Sequence, residues 1–220
     1  MHNIYNKRIK DQFSISGYKK ILKEAKKNYK LTTYENIGPN KIVLRHDIDL
    51  DLELALKFAE IENKMQIKSY YFLMINNNLY NLFSKRSKEI VQKILKFGHI
   101  IGLHHDISFY KSKSIKNIKN NINCEIKFFN KIFNYKIYYV SFHRPNKQFY
   151  NFDFKDKNFK SVYSKDFFSK DIKYISDSGA TWKEDDLYYI LRNKKFKKMQ
   201  ILVHPEFWFF SKKKSLNERI

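Results

Sequence analysis

Short apolar stretches that run directly into histidine, aspartate or arginine are the part of this sequence that could do chemistry. In residues 41–51, an Ile-Val-Leu run is followed by Arg45, His46, Asp47, Asp49 and Asp51. Carboxylates that leave water are costly unless they are paired or bound to a cation. The stretch therefore indicates either a metal or acid–base site or the cap of a following helix. Capping explains Asp49 or Asp51 but not His46 and Asp47, which favours a site.

The same pattern recurs after four more apolar segments. The polar residues that follow these segments are, in chain order, His104, His105 and Asp106, then His143 and Arg144, then Asp177, and finally His204. Five of the seven histidines lie at the five segment ends, and a sixth, His99, begins one of these segments. A single histidine in such a place is more often a core residue than a ligand. Five segment ends together predict one shared pocket.

Elements that could bring these residues together are visible in the apolar periodicity. Helices are predicted at about residues 14–29, 52–64, 84–97 and 114–133. Strands are predicted within 42–44, 67–74, 99–103, 138–142, 172–176 and 200–203, with weaker candidates at 161–163 and 188–191. Strands that alternate with helices form a mostly parallel sheet. The carboxyl ends of parallel strands meet at one edge, where ligands gather.

The residue types at these ends suit metal-assisted hydrolysis. Imidazoles beside carboxylates are ligands for a borderline divalent ion such as zinc, which can acidify water and polarise a carbonyl oxygen. A second carboxylate could accept the proton of that water, and a separate histidine could protonate the leaving group. Arg144 could hold a carboxylate by two hydrogen bonds. Trp182 and Trp208 could stack on a sugar ring or simply pack at the rim.

The overall composition is typical of a globular protein. The chain has 220 residues, 43% of them hydrophobic, and we expect one domain with a helical lead-in at 1–40 and a motif-bearing core at 42–208. The net charge of +22 would ordinarily suggest nucleic acid, but the lysines are spread along the chain, so we expect no nucleic-acid partner. The start lacks an apolar signal core, and no uncharged run could span a membrane. A cytoplasmic location is therefore expected.

Five motifs in order across residues 42–208 resemble those of the polysaccharide deacetylase family, the family 4 carbohydrate esterases with a NodB homology domain. The motifs are residues 44–49, 98–104, 141–145, 176–182 and 202–204. The resemblance implies an α/β fold, a distorted (β/α) barrel of about seven mostly parallel strands. It also implies removal of an N-acetyl group from an amino sugar in a surface-glycan precursor or polysaccharide, with one divalent metal ion, zinc being the first choice.

The resemblance also implies roles for individual residues. It makes Asp49 and His104 metal ligands, Asp47 the base, Arg144 its partner, Asp177 the residue that steadies Arg144, and His204 the acid. The family's first motif has two adjacent aspartates, whereas Ile48 separates them here. Residues two apart on a strand share a face, so Asp47 and Asp49 can share a pocket, and their two roles could be exchanged.

A second departure concerns the third metal ligand. The second histidine of the family's metal motif would fall at position 108, which is a serine here. The candidates for this ligand are His143, His105 and Asp106, and His143 is preferred because it ends a strand beside Arg144.

The two departures resemble a divergent branch of the polysaccharide deacetylase family that is met among surface-glycan assembly proteins. Other functions therefore stay open beside deacetylation. A phosphoesterase on a similar barrel would use the same cluster around two metal ions. An inactive family member would bind glycan without cleaving it. A basic nucleic-acid-binding module would give no reason for histidines at strand ends.

Overall fold

Parallel strands joined by helices make up most of the computed structural model, which describes residues 13–111, 114–182 and 186–209. The helices are α1 (Ile15–Asn28), α2 (Leu52–Lys64), α3 (Lys85–Lys96), α4 (Ile115–Phe133), α5 (Leu187–Arg192) and α6 (Glu206–Phe209). The strands are β1 (Lys30–Leu31), β2 (Lys41–Ile48), β3 (Tyr70–Leu73), β4 (Ile100–His105), β5 (Tyr139–Phe142), β6 (Lys160–Ser161), β7 (Lys173–Ser176) and β8 (Lys198–Val203).

Seven strands form one curled sheet in the order β6-β5-β4-β3-β2-β8-β7, and β1 pairs separately with β2. Every strand pairing within the described residues is parallel. The fold is therefore the predicted distorted (β/α) barrel of NodB type, a curled half-barrel with helices packed against it. All strands present their carboxyl ends at the same edge. No helix among the described residues is long and apolar enough to cross a membrane.

The four helices predicted from periodicity are confirmed to within one residue at each end. Each begins after a side-chain cap, as when Ser14 Oγ accepts a hydrogen bond from the Gly17 amide at 3.0 Å. The weak strand candidate at 188–191 is wrong, because these residues belong to α5. Asp186 caps this helix, and its apolar residues are buried at helical spacing. Residues 1–12 of the predicted lead-in lie outside the described part of the chain.

Strand β2 is buried along almost its whole length, yet both of its faces carry ionisable side chains. Successive side chains of a strand point to opposite faces. Arg45 and Asp47 face the interior of the barrel, where Arg45 Nη2 lies 3.3 Å from Asp47 Oδ2. His46 faces the helix layer, where its Nε2 lies 2.7 Å from Glu62 Oε1 of α2. The strand thus makes one polar contact network on each side of the sheet.

The outer network is centred on the fully buried carboxylate of Glu62. Besides His46, it accepts hydrogen bonds from the hydroxyls of Ser69 at 2.5 Å, Tyr71 at 2.6 Å and Tyr18. Burial by itself would raise the pKa of Glu62, but the charge and hydrogen bond of His46 outweigh burial and hold this pKa at about 2. The network ties α1, α2, β2 and β3 together behind the inner face of the sheet.

We expect Glu62→Gln to lower the free energy of unfolding by about 3–5 kcal/mol at pH 7, because it breaks a buried charge network. The folded-state pKa lies below that of a free glutamate, so this stabilisation is present above about pH 4.5 and is lost as the pH falls toward 2. Urea unfolding at both ends of that range measures the effect. Glu60→Gln, in the same helix but partly exposed, is the control, and equal losses in the two variants would contradict this role.

Candidate active site

The polar residues predicted to share a pocket lie together at the carboxyl edge of the sheet. The predicted site residues that border one cavity of about 610 Å³ are Asp47, Asp49, His104, His143, Arg144 and His204. Asp177 is fully buried behind His204 at the end of β7. The cavity is thus formed by the ends of β2, β4, β5, β7 and β8, because parallel strands of a curled sheet converge there.

Three of these side chains form a compact group of potential metal ligands. The ligand atoms of Asp49, His104 and His143 all lie within 4.8 Å of one another. Asp49 Oδ1 is 3.1 Å from His104 Nε2 and 3.3 Å from His143 Nδ1. Two imidazoles and one carboxylate are the protein ligands of many catalytic zinc sites.

The chemistry of this group fits a divalent cation. Asp49 Oδ1 is buried, yet within the described residues no well-aligned hydrogen bond reaches it. A buried carboxylate oxygen without such a bond is costly unless a cation compensates it. Burial would raise the pKa of Asp49, but His104 and His143 outweigh burial and lower it far below its usual value. The close contact with the Asp49 carboxylate in turn raises the pKa of His143.

Asp47 lies beside the ligand group but is held by other residues. Its Oδ2 accepts a hydrogen bond from Ser141 Oγ at 2.9 Å and one from Arg45 Nη2 at 3.3 Å. His104 Nδ1 is 3.8 Å from the same oxygen. Oδ1 has no hydrogen-bond partner among the described residues. One oxygen of Asp47 is therefore anchored, while the other is available to accept a proton.

His204 lies at the cavity and is tied to Asp177. His204 Nδ1 donates to Asp177 Oδ1 at 2.6 Å, and the His204 backbone amide donates to the same carboxylate at 3.0–3.1 Å. Burial would lower the pKa of His204, but the charge of Asp177 outweighs burial and raises the pKa to about 10. The imidazole is therefore protonated at neutral pH, which is the form that a proton donor needs.

The predicted pairings of Arg144 with Asp47 and Asp177 are wrong. Arg144 is exposed in a left-handed backbone conformation with φ 47°, and the described contacts do not join it to either carboxylate. The cation at Asp47 is Arg45 instead. The reason is geometric, because Arg45 stands two residues before Asp47 and shares its face of β2, whereas the chain turns away after β5 at Arg144.

The suggestion that Trp182 and Trp208 stack on a sugar is also wrong. Both are buried, with 6% and 1% of their surface exposed, and neither lines the cavity. They pack on Phe13, with ring centroids 5.8 Å and 4.8 Å from it. Trp208 has a further contact, because its Nε1 donates to Asp177 Oδ2 at 2.8 Å. The aromatic rings that do line the cavity are Phe142, Tyr150, Tyr163, Phe168, Tyr174 and Phe207.

Among the three candidates for a third metal ligand, the structure places only His143 in the ligand group of the described residues. His105 points to the opposite face of β4, where its Nδ1 lies 2.7 Å from Glu125 Oε2. Asp106 caps a short 3-10 helix and accepts hydrogen bonds from the amide and hydroxyl of Ser108 at 2.8 Å and 2.7 Å. Ser108 itself is exposed and lies outside the ligand group.

Sequence reasoning assigned no role to three residues that shape the site. Arg45 and Ser141 hold Asp47, and both lie within the sequence motifs without a role of their own there. Glu206 is buried close to His204 and Asp49, and burial raises its pKa to about 8. Its signal in the sequence was an acidic residue two positions after His204, directly before an aromatic run.

Comparisons with known proteins agree with this architecture at the level of the fold. The sequence matches no family model and no curated protein. Its structure superposes on an activity-restored mutant of a CE4 family pseudoenzyme from Bacillus anthracis with a TM-score of 0.51 and 17% identity, over 76% of this chain and 58% of that one. The chain has the CE4 fold.

Two further solved structures resemble it less closely. The peptidoglycan deacetylase PdaC from Bacillus subtilis gives a TM-score of 0.49 and 14% identity, over 79% of this chain and 77% of that one. The CE4 domain of a xylanase from the hindgut metagenome of Trinervitermes trinervoides gives a TM-score of 0.48 and 15% identity, over 81% of this chain and 75% of that one. This chain spans 58% of the length of the pseudoenzyme chain, and at these identities the likeness establishes the CE4 fold alone.

We expect zinc affinity to rise with pH through the neutral range. The pKa of His143 is raised above its usual value of about 6.5, so a proton must leave before this imidazole can bind an ion. Calorimetry from about pH 6 to about pH 8, in buffers of different ionisation enthalpy, measures affinity and proton release. His143→Gln should abolish most of the binding, whereas His105→Gln should retain it. An affinity that does not change with pH would contradict the assignment.

We expect Trp208→Phe to destabilise the protein more than Trp182→Phe, by about 1.5–3 kcal/mol, the usual contribution of a hydrogen bond to a charged group. Both substitutions shrink a ring that packs on Phe13, but only Trp208 donates to Asp177. Urea unfolding of the two variants isolates that hydrogen bond. Equal losses would show that packing alone accounts for Trp208.

Proposed function

We propose that this chain is a metal-dependent hydrolase that removes the N-acetyl group from an amino sugar in a surface-glycan precursor or polysaccharide. The main support is the convergence of the ligand group Asp49, His104 and His143 with Asp47 and His204 at one cavity. Hydrolysis of an amide needs a water to be deprotonated and a nitrogen to be protonated, and the site offers a separate group for each step. The CE4 fold and the five sequence motifs support the same reaction class.

In this proposal Asp49, His104 and His143 hold one divalent ion. Two imidazoles and a carboxylate suit zinc well. When bound, such an ion supplies Lewis-acid chemistry, because it polarises a carbonyl oxygen and lowers the pKa of water. The assignment of Asp49 as ligand and Asp47 as base, rather than the reverse, follows from Asp49 lying within 3.3 Å of both imidazoles.

The remaining steps belong to the chain itself. Asp47 Oδ1, the oxygen without a hydrogen bond, accepts a proton from the water that attacks the acetyl carbonyl carbon. The C–N bond then breaks, and protonated His204 gives its proton to the departing sugar nitrogen. Asp177 orients the imidazole of His204 through the bond at Nδ1. The products are acetate and a free amino sugar.

The sugar would lie against aromatic rings of the cavity rather than against the tryptophans. Tyr150 and Phe168 line the cavity and stack on each other with centroids 4.8 Å apart. Flat, partly exposed rings suit the apolar face of a pyranose, and the hydroxyl of Tyr150 adds a polar group at the edge. This pair therefore supports a carbohydrate as the substrate.

A phosphoesterase around two metal ions is the alternative with different chemistry. The described residues provide one group of three ligand side chains, which favours a single ion. The count of bound metal separates the two functions, because one ion per chain favours deacetylation and two favour phosphoester hydrolysis. An inactive glycan-binding protein is a further alternative, since the CE4 fold includes a pseudoenzyme, the parent of the activity-restored mutant.

We expect the zinc-loaded protein to release acetate from N-acetylated oligosaccharides. Asp47→Asn and His204→Gln should each lower kcat by about 10²–10⁴-fold, the usual contribution of a general base or acid, while one zinc per chain is retained. Asp49→Asn should lose zinc. Enzymatic acetate detection together with metal analysis measures all three.

Asp106→Asn is the matched control, because this carboxylate lies near the site but only caps a short helix. It should keep both zinc and activity. Two zinc ions per chain with phosphoester cleavage would overturn the proposal in favour of the phosphoesterase. Zinc and oligosaccharide binding without acetate release would establish the inactive glycan-binding alternative.

A further inference from the structure

Arg45 is a charged side chain in the interior of the barrel, with none of its surface exposed. Three aromatic rings surround its guanidinium carbon, with centroids at 4.8 Å for Tyr163, 5.6 Å for Tyr174 and 5.7 Å for Phe72. Its Nη2 donates to the hydroxyl of Tyr163 at 2.7 Å. Cation–π contacts and this hydrogen bond together fix the guanidinium in one place.

A buried cation needs a partner of opposite charge, and the nearest carboxylate is Asp47. Arg45 Nη2 lies 3.3 Å from Asp47 Oδ2. Burial would lower the pKa of Arg45, but Asp47 outweighs it and raises this pKa well above its usual value. Arg45 is therefore charged at every pH at which the protein is folded.

The contact with Arg45 decides how the Asp47 carboxylate is oriented. Arg45 and Ser141 both engage Oδ2, whereas Oδ1 has no hydrogen-bond partner among the described residues. Asp47 and Asp49 share a face of the same chain segment, so the backbone alone would allow both carboxylates to reach a metal ion. In the structure, however, Asp47 lies outside the ligand group, and the two described hydrogen bonds to its Oδ2 come from Arg45 and Ser141.

We propose that Arg45 is a positioning residue that divides the roles of the two aspartates. By holding Oδ2, it keeps Asp47 from becoming a metal ligand and presents the other oxygen to the attacking water. This inference rests on the proposed function, because only a hydrolytic reaction gives Asp47 a proton to accept. The residue that orients Asp47 is thus Arg45, which lies on the same strand, and not Arg144, which follows β5.

A structural experiment tests this role without any substrate. We expect crystal structures of the zinc-loaded wild type and of Arg45→Lys to show Asp47 outside the zinc coordination. In Arg45→Gln we expect the Asp47 carboxylate to turn toward the ion, and X-ray absorption should show an additional oxygen ligand. An Asp47 that keeps its position in Arg45→Gln would overturn the proposal. If the wild type binds no zinc, the proposed function fails, and the position of Asp47 in the metal-free variants still decides the role of Arg45.

A kinetic experiment separates positioning from stability. Arg45→Gln should lower kcat by about 10–100-fold with KM changed less than about 2-fold, and Arg45→Lys should recover part of the loss. Gln200→Leu is the matched control, since Gln200 is equally buried but hydrogen-bonds to Tyr34 and to backbone carbonyls of Val162 and Phe167. It should lower the melting temperature without lowering kcat.

Two kinetic outcomes would overturn the role of Arg45. One is a kcat loss in Gln200→Leu as large as that in Arg45→Gln. The other is a full kcat in Arg45→Gln combined with a loss in Arg144→Gln. A wild type without deacetylase activity would instead refute the proposed function, and the crystal structures of the Arg45 variants would then decide the positioning role alone.

Discussion

The main constraint on this structure is the burial of ionisable side chains on both faces of β2, an inner strand that lies between β3 and β8. Each of these groups loses its hydration and must be compensated inside the fold. On the outer face Glu62 compensates His46. On the inner face Arg45 compensates Asp47, and Asp49 is left with two imidazoles and no well-aligned hydrogen bond. The outer network is enclosed by protein, whereas the inner one borders a cavity, so the proposed active site lies on the inner face.

Much of the fold could be predicted because it follows from local periodicity. Apolar spacing located the four long helices, and short β-branched and aromatic runs located the main strands. Parallel topology then required the polar strand ends to meet at one edge, and the structure places them there. The strand predicted at residues 188–191 was wrong, because a run of two tyrosines, an isoleucine and a leucine fits either a strand or a single helical turn. These residues form α5 because Asp186 caps the start of the helix and one face of the helix is buried.

The partners inside the site could not be predicted in the same way. The direction of side chains on several strands determines which cation contacts Asp47. The order of the motifs along the sequence does not show these directions. Trp208 illustrates the same limit, because its position beside a strand end suggested the rim, whereas the following turn directs its ring inward to Asp177. The aromatic rings of the cavity wall come partly from residues 144–171, where no periodicity indicates which side chains face inward.

The CE4 fold does not by itself decide between an enzyme and a binding protein, since a pseudoenzyme whose activity-restored mutant superposes on this chain shares it. In the proposed mechanism, the distinction depends on whether the carboxylate beside the ligand group keeps one oxygen free while a separate donor is protonated. Asp47 meets the first condition through Arg45 and Ser141, and His204 meets the second through Asp177. These contacts do not belong to the ligand group itself, so binding of an ion and capacity for hydrolysis are separable properties of the site.

Two differences from the expected site, the serine at position 108 and the separation of Arg144 from Asp47, both involve the end of β5. In the proposed site, with serine at position 108, His143 supplies the third ligand from the end of β5, where its amide continues the ladder to the His105 carbonyl at 2.9 Å. After His143 the chain leaves the extended conformation, because Arg144 has a left-handed backbone with φ 47° and an exposed side chain. Arg144 borders the same cavity as Asp47, but the described hydrogen bonds of Asp47 come from Arg45 and Ser141. Arg45 shares the inner face of β2 with Asp47, so it can take the place of an arginine from the segment after β5.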